Sequence, residues 1–456
     1  MLSSALSTTL EMPRPRRAPD AGAGAPPPTP LVQRMLKHPL LMHYNRLIAG
    51  VVAVNLGVLV YGLTAGGWWS GHLVALGAIA LTAQANFAIA IVIRQQHVVN
   101  ALCRLATRAP TTWPLRIRWM LAKVYHLGGL HVGAAVSGTL WYLAFLGALL
   151  TDATRHVGNV SAANVVVSCL LVTLFLVMVV MAAPPLRARA HDRFEVTHRF
   201  CGWTAVVLVW VNTVLFVRSQ GGHLLTAPAF WMLLLTTASA MLPWMLLRKV
   251  PVAVERPSKH VALVGLDHGQ TPFIGSVRPI SRHPLVGWHT FANIPEADRS
   301  PGRYRMAVSR AGDWTSEFID NPPERVWVRG VPTAGMANVR KLFKKVVYVA
   351  TGSGIGPMLA HLLADEVPSH LIWVTRSPRA TYGDALVDEI MAVQPDATIW
   401  NSDRHGKPDV FRLAHDAYVA SGAEAVICIA NKKVTWQVVH GMERLGVPAF
   451  GPIWDS

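Results

Sequence analysis

From Leu47 to Ile93 the chain runs 47 residues without an Asp, Glu, Lys or Arg. One helix needs about 20 apolar residues to cross the hydrocarbon of a bilayer. The run therefore holds two crossings. They part at Gly66-Gly67-Trp68-Trp69-Ser70-Gly71, a turn whose tryptophans suit a membrane–water boundary. Val124–Thr151, Val157–Leu186, Phe200–Val217 and Ser219–Leu247 are free of charge as well. Six spans are predicted, at 47–65, 73–93, 124–149, 161–182, 199–217 and 229–247.

Charge then sets the orientation. The chain carries 42 Lys and Arg against 25 Asp and Glu, a net +17, although only 15% of its residues are charged. Arg14, Arg16, Arg17, Arg34, Lys37 and Arg46 precede the first span. Arg94, Arg104, Arg108, Arg116, Arg118 and Lys123 fill the second connection, and Arg187, Arg189, Arg193 and Arg199 the fourth. The remaining connections hold only Arg155 and Arg218. Lys and Arg gather on the cytoplasmic side. The expectation is a multi-pass protein of the plasma (cell inner) membrane, in contact with lipid, with both termini cytoplasmic. The positive charge is then topological, and nucleic acid is not an expected partner. Residues 1–45, rich in Pro, Ala and Arg, read as a disordered tail without the apolar run of a secretory signal. Four scattered cysteines give neither a disulfide framework nor a zinc spacing.

After residue 250 the pattern changes. Val261–Leu266, Phe273–Ile280, Gly287–Phe291, Tyr304–Ser309 and Arg325–Arg329 are short β-rich runs between Gly and Pro, the spacing of a small antiparallel barrel. From Lys345 strands alternate with helices, which predicts a parallel sheet of nucleotide-binding type. The predicted fold class is therefore membrane α-helical, with six transmembrane helices over 46–250, plus a cytoplasmic β-barrel at 251–340 and an α/β domain at 341–456.

Candidate site residues follow. Thr351-Gly352-Ser353-Gly354-Ile355-Gly356-Pro357 joins a strand to a helix, where glycines admit a phosphate to the helix N-terminus. A tight turn in any α/β domain reads the same way. Arg376 and Arg379 stand where an acid for ribose hydroxyls is common, and suit the 2′-phosphate of NADP or open solvent. Thr315, after Trp314, is placed to cap a helix facing a pyrophosphate. Trp288-His289-Thr290-Phe291 ends a strand that can line a flavin or simply pack. His126, His131 and His198 lie near the cytoplasmic ends of spans three and five as possible haem ligands. On one helix His126 and His131 stand roughly 140° apart, so at most one faces a given partner.

Taken together, these segments resemble the ferric reductase/NADPH oxidase architecture, whose cytoplasmic half is similar to ferredoxin–NADP reductases. The resemblance covers 45–456. His289, Thr290 and Phe291 match the His-Pro-Phe-Thr flavin motif without its Pro. Gly312-Asp313-Trp314-Thr315 matches the flavin pyrophosphate segment, and Gly406-Lys407-Pro408-Asp409 a Gly-Arg-Pro-Asp segment. Phe194-Glu195-Val196-Thr197-His198-Arg199-Phe200 and the ending Gly446–Ser456 look like TmpA-type integral membrane proteins. The resemblance implies FAD, NAD(P)H and haem b as cofactors, with Phe450 or Trp454 stacking on the flavin. Two features depart from it. The outer pair of haem histidines is absent, with Asn212 in one place, and Ile429-Ala430-Asn431 replaces a Cys-Gly-Pro motif.

Three readings result. The first is a membrane flavoprotein oxidoreductase passing electrons from a pyridine nucleotide through FAD to an unidentified acceptor. The second is a flavin- or nucleotide-binding membrane regulator without turnover. The third is a transporter or scaffold, for which the spans offer no buried charge.

Overall fold

The computed structural model describes residues 41–69, 74–155, 159–296 and 300–452. Most of the tail at 1–45, the residues after Pro452 and part of the Gly66–Gly71 turn lie outside them. Helices His43–Leu63, Gly128–Thr154, Ala162–Ala182, His191–Ser219 and Pro228–Met245 are each long and apolar enough to cross a membrane. Leu76–Val92 makes a sixth when taken with Gln96–Ala106, from which it is bent by 70°. These six occupy the predicted spans. The fifth starts earlier than predicted, so His198 sits inside a helix. His126 belongs to a 3₁₀ turn, Ala122–His126, ahead of the third long helix. The single-helix geometry assumed for His126 and His131 therefore does not hold.

The half of the bundle remote from the barrel is filled. Phe145 is fully buried, with Tyr142 and Phe216 rings 5.5 and 5.6 Å away. Asn212 is buried and accepts hydrogen bonds from Ser168 (3.2 Å) and Asn164 (3.4 Å). Side chains thus occupy the place where the resemblance would put an outer haem.

Only Leu246 and Leu247 separate the last long helix from strand β1 (Arg248–Glu255). Val250, Val252 and Val254 alternate along β1, a period-2 signal that crosses the predicted boundary at 250. The strand changes partner at Pro251, pairing first with β7 (Arg325–Val328) and then with β2 (Val261–Asp267). The other barrel strands are β3 (Ser276–Ser281), β4 (His289–Ala292), β5 (Ile294–Pro295), β6 (Arg303–Ser309) and β8 (Thr333–Ala334). Their order is β4-β3-β7-β1-β2-β6-β5, with β8 beside β3. The end strands β4 and β5 are separated by Asn293 alone, so the antiparallel sheet is nearly a closed barrel. Val264, Leu266, Ile280, Met306, Val308 and Val328 fill it.

The second sheet is parallel, in the order β11-β10-β9-β12-β13. Its strands are β9 (Val346–Thr351), β10 (Ser369–Thr375), β11 (Thr398–Asn401), β12 (Ala425–Ile429) and β13 (Ala449–Phe450). Chain order reverses between β9 and β12. Open α/β sheets bind ligands at such a switch point, beyond the carboxyl ends of the strands. One apolar core joins the three parts, running from Ala122 through Leu342 and Phe343 to Tyr348, Met358 and Ile427.

Candidate functional site

Beyond β9 the chain enters the Gly-rich turn. Gly352 has φ +51°, a left-handed conformation that glycine adopts without penalty. The indole of Trp373 donates to its carbonyl at 3.1 Å. Gly354 is required for a different reason: a Cβ there would stand 1.9 Å from the carbonyl oxygen of Ile429, at the end of β12. A Cβ on Gly356 would meet Ala307 of β6 at 3.5 Å. The glycines therefore close the crevice floor and seat helix Ile355–Ala364 on the barrel. Pro357 lies in the helix's first turn, where no intrahelical N–H is lost. Ser353 lies in this turn, directly beyond the carboxyl end of β9. The helix packs across β4, β5 and β6. It thereby joins the nucleotide-type loop to the strand bearing His289, Thr290 and Phe291.

The neighbouring segments are tied down. Thr435 binds both the N–H (3.2 Å) and the carbonyl (3.0 Å) of Ala430, and Asn431 caps the next helix through Val434 (3.1 Å). Cys428 is buried on the helix-covered face, where desolvation pushes its thiol up to about 12. Asp409 caps helix Val410–Ser421 by accepting from Arg412 at 3.1 Å. After β10, Arg376 is exposed. Arg379 is committed elsewhere, to Asp384 at 2.9 Å and Asp388 at 2.6 Å. Of the two arginines expected at a 2′-phosphate, Arg376 alone has no ion-pair partner among the described residues.

The two flavin-type segments meet. Trp314 lies 4.3 Å from His289 and 6.1 Å from Phe291 between ring centroids, and stacks on Phe318 at 5.0 Å. Thr290 is exposed. Thr315 is the third residue of helix Asp313–Asp320, not its cap; Gly312 holds that place. The Thr315 hydroxyl accepts from Ala311 (2.9 Å) and Gly312 (3.1 Å), the return arm of a capping box. Thr315→Ala should lower the melting free energy of the module by about 1 kcal/mol, read by thermal unfolding. Phe450 does not stack at this site. It is fully buried in the core, 5.5 Å from Phe343 and 6.2 Å from Tyr125. Trp454 lies outside the described residues.

In the bundle, His131 and His198 face each other with ring centroids 6.4 Å apart. That is close to the spacing of two imidazoles sharing one metal at about 2 Å each. Nδ1 of His131 is held by the Ala90 carbonyl at 2.8 Å, and among the described residues neither its Nε2 nor the buried Nδ1 of His198 has a hydrogen-bond partner. A hydrogen bond through the other ring nitrogen is how metal-binding imidazoles are oriented. His126 turns away, toward Tyr125 (4.1 Å) and His43 (6.2 Å). Among the described residues no three His, Cys, Asp or Glu side chains form a metal cluster.

The segment from Phe194 to Phe200 forms the seam between bundle and barrel. Glu195 pairs with Arg199, which donates to the Leu285 carbonyl at 2.7 Å. The Arg329 guanidinium sits between Trp244 (4.3 Å) and Trp288 (4.6 Å), a double cation–π contact. Desolvation between the indoles, with Arg199 close by, lowers the Arg329 pKa to about 10. Trp288 precedes His289, so the seam fixes the flavin-type strand against the helix that carries His198. Sequence reading missed Arg329 and Trp244, because the signal is a three-way contact between segments remote in the chain.

Two buried imidazoles make the barrel and the α/β domain acid-sensitive. His268 is held down to about 4 by burial, then by Arg278 and Arg248. His361 lies well below its ordinary 6.5, again by burial first. Above pH 6.5 each is neutral whether folded or not. Below it the unfolded chain takes the proton first, so stability falls as pH drops from 6.5 toward 4. His268 contributes a slope of about 1.4 kcal/mol per pH unit in that window, and His361 acts in the same direction. Melting temperatures should fall accordingly, with a shallower fall in His268→Gln.

A family model described as the C-terminal domain of adenylate-forming reductase 03009 matches residues 336–456. Adenylate-forming reductase 03009 of Coprinopsis cinerea is 40% identical over 432 residues, which are 93% of this chain and 41% of the relative. Adenylate-forming reductase 06235 of the same fungus is 38% identical over 434 residues, again 93% and 41%. The chain thus spans about two-fifths of the length of the curated relatives it matches. Among solved structures it is similar to a flavohemoglobin from Malassezia yamatoensis with bound FAD and haem, at 14% identity and TM-score 0.41. That match covers 84% of this chain and all of the other. It is also similar to a ferredoxin NADP+ reductase from Neisseria gonorrhoeae with bound FAD and NADP, at 12% identity and TM-score 0.36. Here 45% of this chain and 98% of the other are covered.

Proposed function

We propose that this chain is an integral membrane oxidoreductase that takes electrons from NAD(P)H through FAD to an acceptor at the cytoplasmic side of the membrane, through one haem b held by His131 and His198. One observation carries the reading. Helix Ile355–Ala364 starts at the Gly-rich turn of the parallel sheet and packs on β4, the strand of His289, Thr290 and Phe291. A nucleotide at the switch point and a flavin on the barrel would then be neighbours. His289, Thr290, Phe291, Trp314 and the start of helix Asp313–Asp320 would hold the flavin. Thr351–Pro357 and Arg376 would hold the pyridine nucleotide, Arg376 favouring a 2′-phosphate. Bound FAD supplies the acceptor for a hydride and a donor of single electrons. The chain's own residues bind, orient and exclude water.

The test is an absorption spectrum of detergent-purified protein before and after anaerobic NADPH. An oxidised-flavin band that bleaches is the expected result, with a haem band that is lost in His198→Ala. Protein that stays colourless after incubation with FAD and haem overturns the reading. It would leave a nucleotide-binding regulator, which the tied Ala430-Asn431 segment and the committed Arg379 favour. Ligand-induced stabilisation without NADPH oxidation would then be the sign.

A further inference from the structure

We propose that the connection between the second and third long helices is a docking surface for anionic phospholipid at the cytoplasmic face of the membrane. The inference rests on the membrane reading above. Helix Gln96–Ala106 departs at 70° from Leu76–Val92, so it lies close to the membrane plane when its neighbour stands across it. Residues 94–126 contain six Lys and Arg and no Asp or Glu.

One face of this segment is fastened to the soluble module. Asn100 donates to the Pro332 carbonyl (2.8 Å) and accepts from the Ala334 N–H (2.7 Å), sealing β8. Arg118 pairs with Glu424 at 2.7 Å, and Lys123 pairs with Glu443. Other side chains of the segment are uncovered. Arg104, Arg108 and Arg116 are exposed, with no carboxylate in ion-pair range among the described residues. Between them stand Leu105 (69% exposed), Trp113 (47%), Ile117 (40%) and Met120 (67%).

Exposed basic residues interleaved with exposed Leu, Ile, Met and Trp suit the headgroup layer. The apolar side chains enter the acyl boundary and the guanidinium groups bind lipid phosphate. An anionic leaflet attracts each such basic residue electrostatically. The Arg118 and Lys123 pairs then carry the consequence onward, since the lipid-bound strip is bolted to the nucleotide-type domain.

The experiment uses the full chain in lipid nanodiscs, with Cys103→Ala, Cys169→Ala and Cys201→Ala as background. A nitroxide is placed through Met120→Cys in one sample and Leu56→Cys in another. Collision with oxygen and with a water-soluble nickel chelate reports depth. Phosphatidylcholine discs are compared with discs that also contain phosphatidylserine. The expected result is a label at Met120→Cys that phosphatidylserine shields from nickel, and that Arg104→Gln/Arg108→Gln/Arg116→Gln exposes again. Equal nickel access in both lipids, or equal shielding in both, overturns the proposal. The Leu56→Cys label separates the two levels. Buried in hydrocarbon beside an aqueous Met120→Cys label, it leaves the membrane reading standing and removes the docking surface. In water, it removes both.

Discussion

Gly354→Ala is expected to destabilise the nucleotide-type domain by about 3 kcal/mol, the upper range of overpacking in a fixed core. Backbone conformation is not the cause, since Gly354 has φ −58°, a right-handed value open to any residue. The cause is the Ile429 carbonyl, 1.9 Å from where the new carbon would stand. That oxygen belongs to β12, whose residue 429 is in register with Ala350 of β9, so it cannot retreat without opening the sheet at the switch point. Gly352→Ala is the matched control. It has open space around it but φ +51°, and should cost only about 1 kcal/mol. Thermal unfolding separates the two. Titration with NADPH should show weaker binding in Gly354→Ala at temperatures where the variant is still folded. Equal melting of the two variants would mean that β12 is free to move.

Arg118→Met should also be damaging, by about 3 kcal/mol, the low end for breaking a buried pair, because the carboxylate it strands is only partly buried. Arg118 has 4% of its side chain exposed and donates to the carbonyls of Trp113 (2.8 Å) and Leu342 (2.7 Å) as well as to Glu424. The arginine's hydrogen bond is the main cause holding the Glu424 carboxyl below its ordinary 4.5. This stabilisation is present above pH 4.5 and is lost as pH falls through the lowered value, when the folded carboxylate takes a proton. In Arg118→Met that acid dependence should shrink to the share held by the Lys344 N–H, which donates to Glu424 at 2.8 Å, and limited proteolysis should cut the 107–121 connection faster. Glu424→Gln, which keeps the shape without the charge, should fall between the two.

Much of this architecture was legible in the chain. Charge-free runs mark the long helices, since a hydrocarbon layer tolerates almost nothing else. Alternation of strands and helices after Lys345 marks the parallel sheet. Contacts between remote segments were not legible. Arg118 and Glu424 are 306 positions apart, and nothing in either neighbourhood names the other. Arg329 between Trp244 and Trp288 is hidden for the same reason. Other signals lie within short stretches of the chain. Asp384 and Asp388 follow Arg379 closely enough to claim its guanidinium. The Val250, Val252, Val254 alternation starts the barrel before Pro251. Phe450 lies in a strand at the edge of the parallel sheet, and burial there outweighs any role in stacking.

The aromatic filling around Phe145 and the hydrogen-bonded Asn212 bear on energetics of another kind. An electron carried across a bilayer gains or loses about 2.3 kcal/mol for every 100 mV of potential. With the remote half of the bundle occupied by side chains, the orientation proposed above confines redox exchange to one leaflet. No net charge then traverses the dielectric, and turnover neither discharges the membrane nor draws work from it. In sealed vesicles, an imposed diffusion potential of either sign should leave the rate of NADPH oxidation unchanged.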